Sequence, residues 1–162
     1  MNGIPFGEAW NYGGPLMWVL AFFSVMSLTV ALYLYFAHLK TPFINAALAR
    51  LKKAKDPEAE GARIAERAYA SVDWLADIAA IAPLVGLLGT VLGMFQAFGG
   101  IATDVAAGAK PVVLAQGVSQ AIVTTIFGLV VAIPSLVMHA FFRRRTARLI
   151  AALEETADEV FA

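Results

Sequence analysis

The chain contains no cysteine, which excludes a disulfide framework, a thiolate metal site and a thiol nucleophile. It is short of charge: 15% of its 162 residues are Asp, Glu, Lys or Arg, against about 25% in an average soluble domain. Histidine is scarce, with His38 and His139 the two imidazoles. No GxSxG, HExxH or Walker-type glycine loop occurs, so the enzyme templates fail and neither catalysis nor a cofactor or metal is expected. The 12 basic and 12 acidic residues cancel, which argues against a generic nucleic-acid binder. Apolar residues are abundant instead, at 60% of the chain with a mean hydropathy of +0.73. That excess excludes disorder and disfavours a soluble domain.

The charges are missing from three windows: Ala9 to Leu39, the stretch between Asp77 and Asp104, and the stretch between Lys110 and Arg143. Each exceeds the roughly 20 apolar residues that a membrane-spanning helix needs. The chain is therefore expected to be an all-α membrane protein with transmembrane helices over 15–38, 77–100 and 111–142. The first window is no signal peptide, because Met1 to Gly14 carry no Lys or Arg and include Glu8. Every basic residue except Lys110 lies between the first two windows or after the third. By the excess of Lys and Arg in cytoplasmic segments, 39–76 and 143–162 are expected inside, with 1–14 and the loop 101–110 outside.

Helical periodicity outlasts the spans. Ile44, Ala47, Leu48 and Leu51 recur at helical spacing, Asp56-Pro57 interrupts, and Ile64, Ala68, Val72 and Leu75 lead into the second span. After the third span, Leu149, Ile150, Leu153, Ala157 and Val160 form one stripe, with Glu154, Glu155, Asp158 and Glu159 off it. A helix from Pro111 to Val160 would be about 75 Å long, well beyond a hydrocarbon core of about 30 Å. Helices two and three are thus expected to extend into the cytoplasm. Stripes without partners in one copy point to a homo-oligomer.

Small residues form ridges suited to close packing in lipid: Ala82, Gly86, Gly89, Gly93 and Ala97 in the second span, and Gly117, Ala121, Thr125, Gly128, Ala132 and Ser135 in the third. No span interior carries Asp, Glu, Lys or Arg, so a self-contained carboxylate relay is absent. Thr90 and Gln96 are the polar residues of span two. Gln116 and Gln120 share a face in span three with Thr124 a turn further on, a polar stripe running toward the midplane. Span one has Ser24, Ser27 and Thr29 but is otherwise apolar all round and suits lipid contact, so spans two and three would line any pore. His139 reads as interfacial, beside Phe141 and the arginines. Pro134 removes a helix hydrogen bond to Val130, so a kink is expected there.

Two segments carry a resemblance. Residues 83–98, PLVGLLGTVLGMFQAF, resemble the second-span motif of the ExbB/TolQ/MotA family of ion-driven motor subunits. Residues 117–135, GVSQAIVTTIFGLVVAIPS, resemble the third-span motif of its ExbB/TolQ branch, and the three-span topology is similar to that branch. The resemblance implies a homo-pentamer in the bacterial inner membrane, around a central pore. The pore would hold the single transmembrane helices of a dimeric ExbD- or TolR-like partner whose Asp carries the proton, with a TonB- or TolA-like protein further along. It also implies that the proton motive force energises work across the periplasm, either TonB-dependent uptake or a Tol-type envelope function. Thr90 and Thr125 match the family's pore threonines, and Pro134 matches its proline near the cytoplasmic end. Gln120 stands where ExbB and TolQ usually carry Glu, so it can hydrogen-bond but not titrate. Three readings of that departure stay open: the partner's Asp suffices, the ion is sodium, or the coupling is altered. A non-conducting scaffold for a partner helix and a stand-alone channel are the competing functions.

Overall fold

Gly14 has φ +63°, a left-handed conformation that costs glycine little and other residues more, and it closes the turn from which the first helix starts. The Met17 N–H donates to the Gly14 carbonyl at 3.2 Å. Helix α1 then runs Leu16–Ala37 and α2 runs Lys40–Lys53. The next helix, α3, spans Pro57–Ala102, and its start is built from local chemistry. Asp56 caps it, its Oδ1 accepting the Ala59 N–H at 3.1 Å, and Pro57 takes the first position, where no N–H is needed. Glu58 and Glu60 add negative charge to the first turn, which favours the positive end of the helix dipole. Helix α4 spans Lys110–Phe161. Both long helices continue through an internal proline, Pro83 in α3 and Pro134 in α4.

The computed structural model describes residues 13–37, 40–102 and 110–161, with side chains placed at 13–37, 43–100 and 111–158. The expected outer segment before Gly13, His38, the loop residues 103–109 and the side chains of Lys110, Glu159 and Val160 lie outside that description. All regular structure among the described residues is helical. Three helices, α1, α3 and α4, are long and apolar enough to cross a membrane.

The chain divides into two compact units that share these helices. The first comprises residues 1–26 and 78–134, and its core packs Met17 and Leu20 of α1 against Ile78 and Ala82 of α3 and Val123 and Val131 of α4. The second comprises 27–77 and 135–162. In it Ala31 and Leu34 of α1 meet Val72 and Leu75 of α3 and Phe142 of α4. A separate cluster joins Ala47 and Leu51 of α2 to Ile64 and Leu153. Ile64, Ala68, Val72 and Leu75 are the buried face of α3 here, while Glu154, Glu155 and Asp158 are exposed. Ser27 does not bond its own helix: its hydroxyl meets that of Ser135 at 2.7 Å across α1 and α4, both buried.

Candidate functional site

The seam of α3 and α4 in the first unit is made by residues without bulk. Gly128 lies against Ala82 and Gly86, Gly89 against Thr124, and Gly93 against Gly117 and Ala121. As the number rises along α3 it falls along α4, so the two helices are antiparallel. The approach is close enough that a Cβ on Gly128 would stand 2.8 Å from the Ala82 carbonyl oxygen, and one on Gly86 3.0 Å from that of Thr124. Gly117 is closed by the Ala97 Cβ and the Gly93 carbonyl. Where hydrophobicity no longer drives association, such backbone proximity supplies the dispersion contact that holds helices together. Pro134 stands apart from this seam and is exposed.

The polar residues fall into distinct settings. Thr124 is wholly buried in the seam, where its hydroxyl donates to its own helix at the Ala121 carbonyl (2.9 Å) and the Gln120 carbonyl (3.3 Å). Thr125, its neighbour, is half-buried and reaches across, its hydroxyl donating to the Gly86 carbonyl at 3.3 Å. The helical pattern assigns that same carbonyl the N–H of Thr90, four residues on. One α3 oxygen thus links the two threonines. The Thr90 hydroxyl, half-buried, donates to the Leu87 carbonyl at 2.6 Å. Gln96 and Gln116 are exposed and Gln120 is half-buried. The stripe Gln116, Gln120, Thr124 therefore runs from an open surface into the seam.

Gln120 has a neighbour that spacing along α4 does not reveal. Its Nε2 would lie 3.0 Å from a Cβ on Gly14, so the turn before α1 sits on the amide of this residue. Gly14→Ala combines a left-handed strain with loss of that fit. It is expected to cost the fold about 1–2 kcal/mol, measured as a lowered Tm of the detergent-solubilised chain. In the second unit, His139 Nδ1 lies 3.2 Å from the Val72 carbonyl, to which it donates when protonated there. Thr146 is wholly buried, a polar residue that its place in an Arg-rich stretch did not mark. Among the described residues no group of three His, Asp or Glu side chains converges on a metal-sized site.

The family described as the MotA/TolQ/ExbB proton channel family matches residues 36–155. The biopolymer transport protein ExbB of Salmonella typhimurium is 40% identical over 87 residues, 54% of this chain and 35% of that protein. The Tol-Pal system protein TolQ of Pseudomonas aeruginosa is 37% identical over 94 residues, 58% of this chain and 40% of that protein. Both alignments thus span well under half of the relative's length. The biopolymer transport protein ExbB of Aquifex aeolicus is 32% identical over 139 residues, 85% of this chain and 82% of that protein.

Proposed function

The chain belongs to the MotA/TolQ/ExbB proton channel family, and from that premise we propose that it is the multi-span subunit of an ExbB- or TolQ-type motor. Five copies would surround the single helices of an ExbD- or TolR-like dimer in the bacterial inner membrane. The residues before α1 would face the periplasm, and α2 with the charged ends of α3 and α4 the cytoplasm. Proton flow down the proton motive force would then drive work across the periplasm, with no enzymatic step and no cofactor in this chain.

The observation that carries the reading is an imbalance in the α3–α4 pair. It offers the half-buried hydroxyls of Thr90 and Thr125, yet no charged residue lies between Asp77 and Asp104 or between Lys110 and Arg143. On this reading the titratable proton carrier comes from a partner chain, and the hydroxyls would solvate it or a bridging water. One observation favours the non-conducting scaffold instead: the Thr90 and Thr124 hydroxyls are already bonded within their own helices.

Reconstitution separates these. The chain is placed in vesicles alone and with a one-span partner bearing an Asp in its helix, under a pH gradient and, separately, a sodium gradient. The complex is expected to pass protons, the chain alone to pass neither ion, and the mass of the complex to give five copies to two. A complex that passes neither ion returns the scaffold, flux on the sodium gradient alone returns the sodium-driven member, and strong flux through the chain alone returns a channel.

A further inference from the structure

Two adjoining grooves in the second unit have no role in the seam. One, about 380 Å³, is apolar and lies where Leu28, Leu32 and Tyr35 of α1 face Val137, Met138 and Phe141 of α4. The other, about 640 Å³, continues it along α4, with Val137, Ala140 and Phe141 at one end and Arg144, Arg145 and Arg148 at the other. Val137 and Phe141 line both. The spacing 137, 140, 141, 144, 145, 148 is a single helical face, so the two grooves form one track that changes from apolar to cationic over about 16 Å.

The sense of that change matches one kind of molecule. Leu32, Val137 and Phe141 are 51%, 64% and 57% exposed on helices apolar enough to span a membrane, which puts the upper part of the track among acyl chains. The arginines follow at the point where the apolar run of α4 ends. Among the described residues Arg144 and Arg148 make no ion pair, and α4 holds no acid before Glu154. Two guanidinium groups one turn apart, beside an acyl-sized groove, are complementary to a phosphodiester attached to hydrocarbon. A guanidinium binds phosphate oxygens two at a time, and it does so more strongly at the edge of a low-dielectric layer than in water. We propose that this track is a binding site for an anionic phospholipid, with one acyl chain between α1 and α4 and the headgroup phosphate on Arg144 and Arg148. The site is independent of which ion or partner the family seam serves.

The test uses the full chain, purified and stripped of lipid, then offered phosphatidylglycerol or phosphatidylcholine with identical acyl chains and read by native mass spectrometry. Phosphatidylglycerol is expected to be retained preferentially. Arg144→Gln with Arg148→Gln, both exposed and so neutral to folding, is expected to weaken that retention by about tenfold or more and to weaken retention of phosphatidylcholine, whose choline offsets its phosphate, much less. Leu32→Trp fills the apolar groove without altering charge and is expected to lower retention of both lipids. Equal retention of the two lipids by the unmodified chain overturns the proposal, as does undiminished phosphatidylglycerol binding in the double glutamine variant. Displacement by inorganic phosphate would make the arginines a free-anion site, and a changed copy number with unchanged lipid would make the track an interface between copies; either result also overturns it.

Discussion

Gly128→Leu is expected to prevent α3 and α4 from closing, and no substitution of a side chain on α3 should restore them. The physical reason is what stands opposite. A Cβ at Gly128 meets the Ala82 carbonyl oxygen at 2.8 Å and the Gly86 Cα at 3.2 Å, all of it main chain. Backbone cannot rotate out of the way, so the helices must separate and give up the contacts along the whole ridge. Overpacking of a well-filled interior costs about 1–3 kcal/mol for small insertions, and leucine at a backbone contact lies at or above the top of that range. Gly89 gives the internal control. A Cβ there meets the Thr124 side chain, whose hydroxyl bonds only its own helix. Gly89→Ala alone is expected to lower the Tm of the detergent-solubilised chain. Gly89→Ala with Thr124→Gly moves the missing bulk from one helix to the other, leaves no donor unpaired, and is expected to recover most of the loss. Equal tolerance of Gly128→Leu and Gly89→Ala would show that the seam is looser than its geometry.

That contrast also marks what a sequence can disclose. The windows without charge are legible because a charge in hydrocarbon is costly and rare, and the ridge from Ala82 to Ala97 is legible because small residues at helical intervals suit close packing in a span. The buried face Ile64, Ala68, Val72, Leu75 follows from periodicity alone. What periodicity does not resolve is a choice between neighbours. Thr124 and Thr125 are about 100° apart on the helix, both polar and both β-branched, and only the position of α3 decides that one is sealed in the seam while the other crosses to Gly86. The Ser27–Ser135 bond and the Gly14 turn over Gln120 are likewise contacts between distant segments, invisible to any local pattern. The apolar half of the arginine track likewise needs α1 beside α4, which the pattern along α4 does not place.

Thr90→Val and Thr125→Val are expected to act alike on ion flux and differently on stability, and the difference tests the assigned roles. Each replacement keeps the shape of the side chain and removes one hydroxyl. If that hydroxyl solvates the moving ion, loss of one hydrogen bond of about 1–1.5 kcal/mol at the barrier slows flux about tenfold. The double variant is then expected to fall about a hundredfold if the two act independently, and less than that if both contact the same ion or water. The Thr90 hydroxyl is bonded to Leu87 within its own helix, so its removal leaves the seam intact and Tm unchanged. The Thr125 hydroxyl crosses to Gly86, so its removal also takes an interhelical bond of about 0.6 kcal/mol and lowers Tm slightly. Thr90→Ser and Thr125→Ser keep the hydroxyl and are expected to keep the flux. Flux measured in vesicles with the partner present, beside Tm for each variant, reads both quantities. Full flux in the double valine variant would remove both threonines from the ion path and leave them as packing residues of the seam.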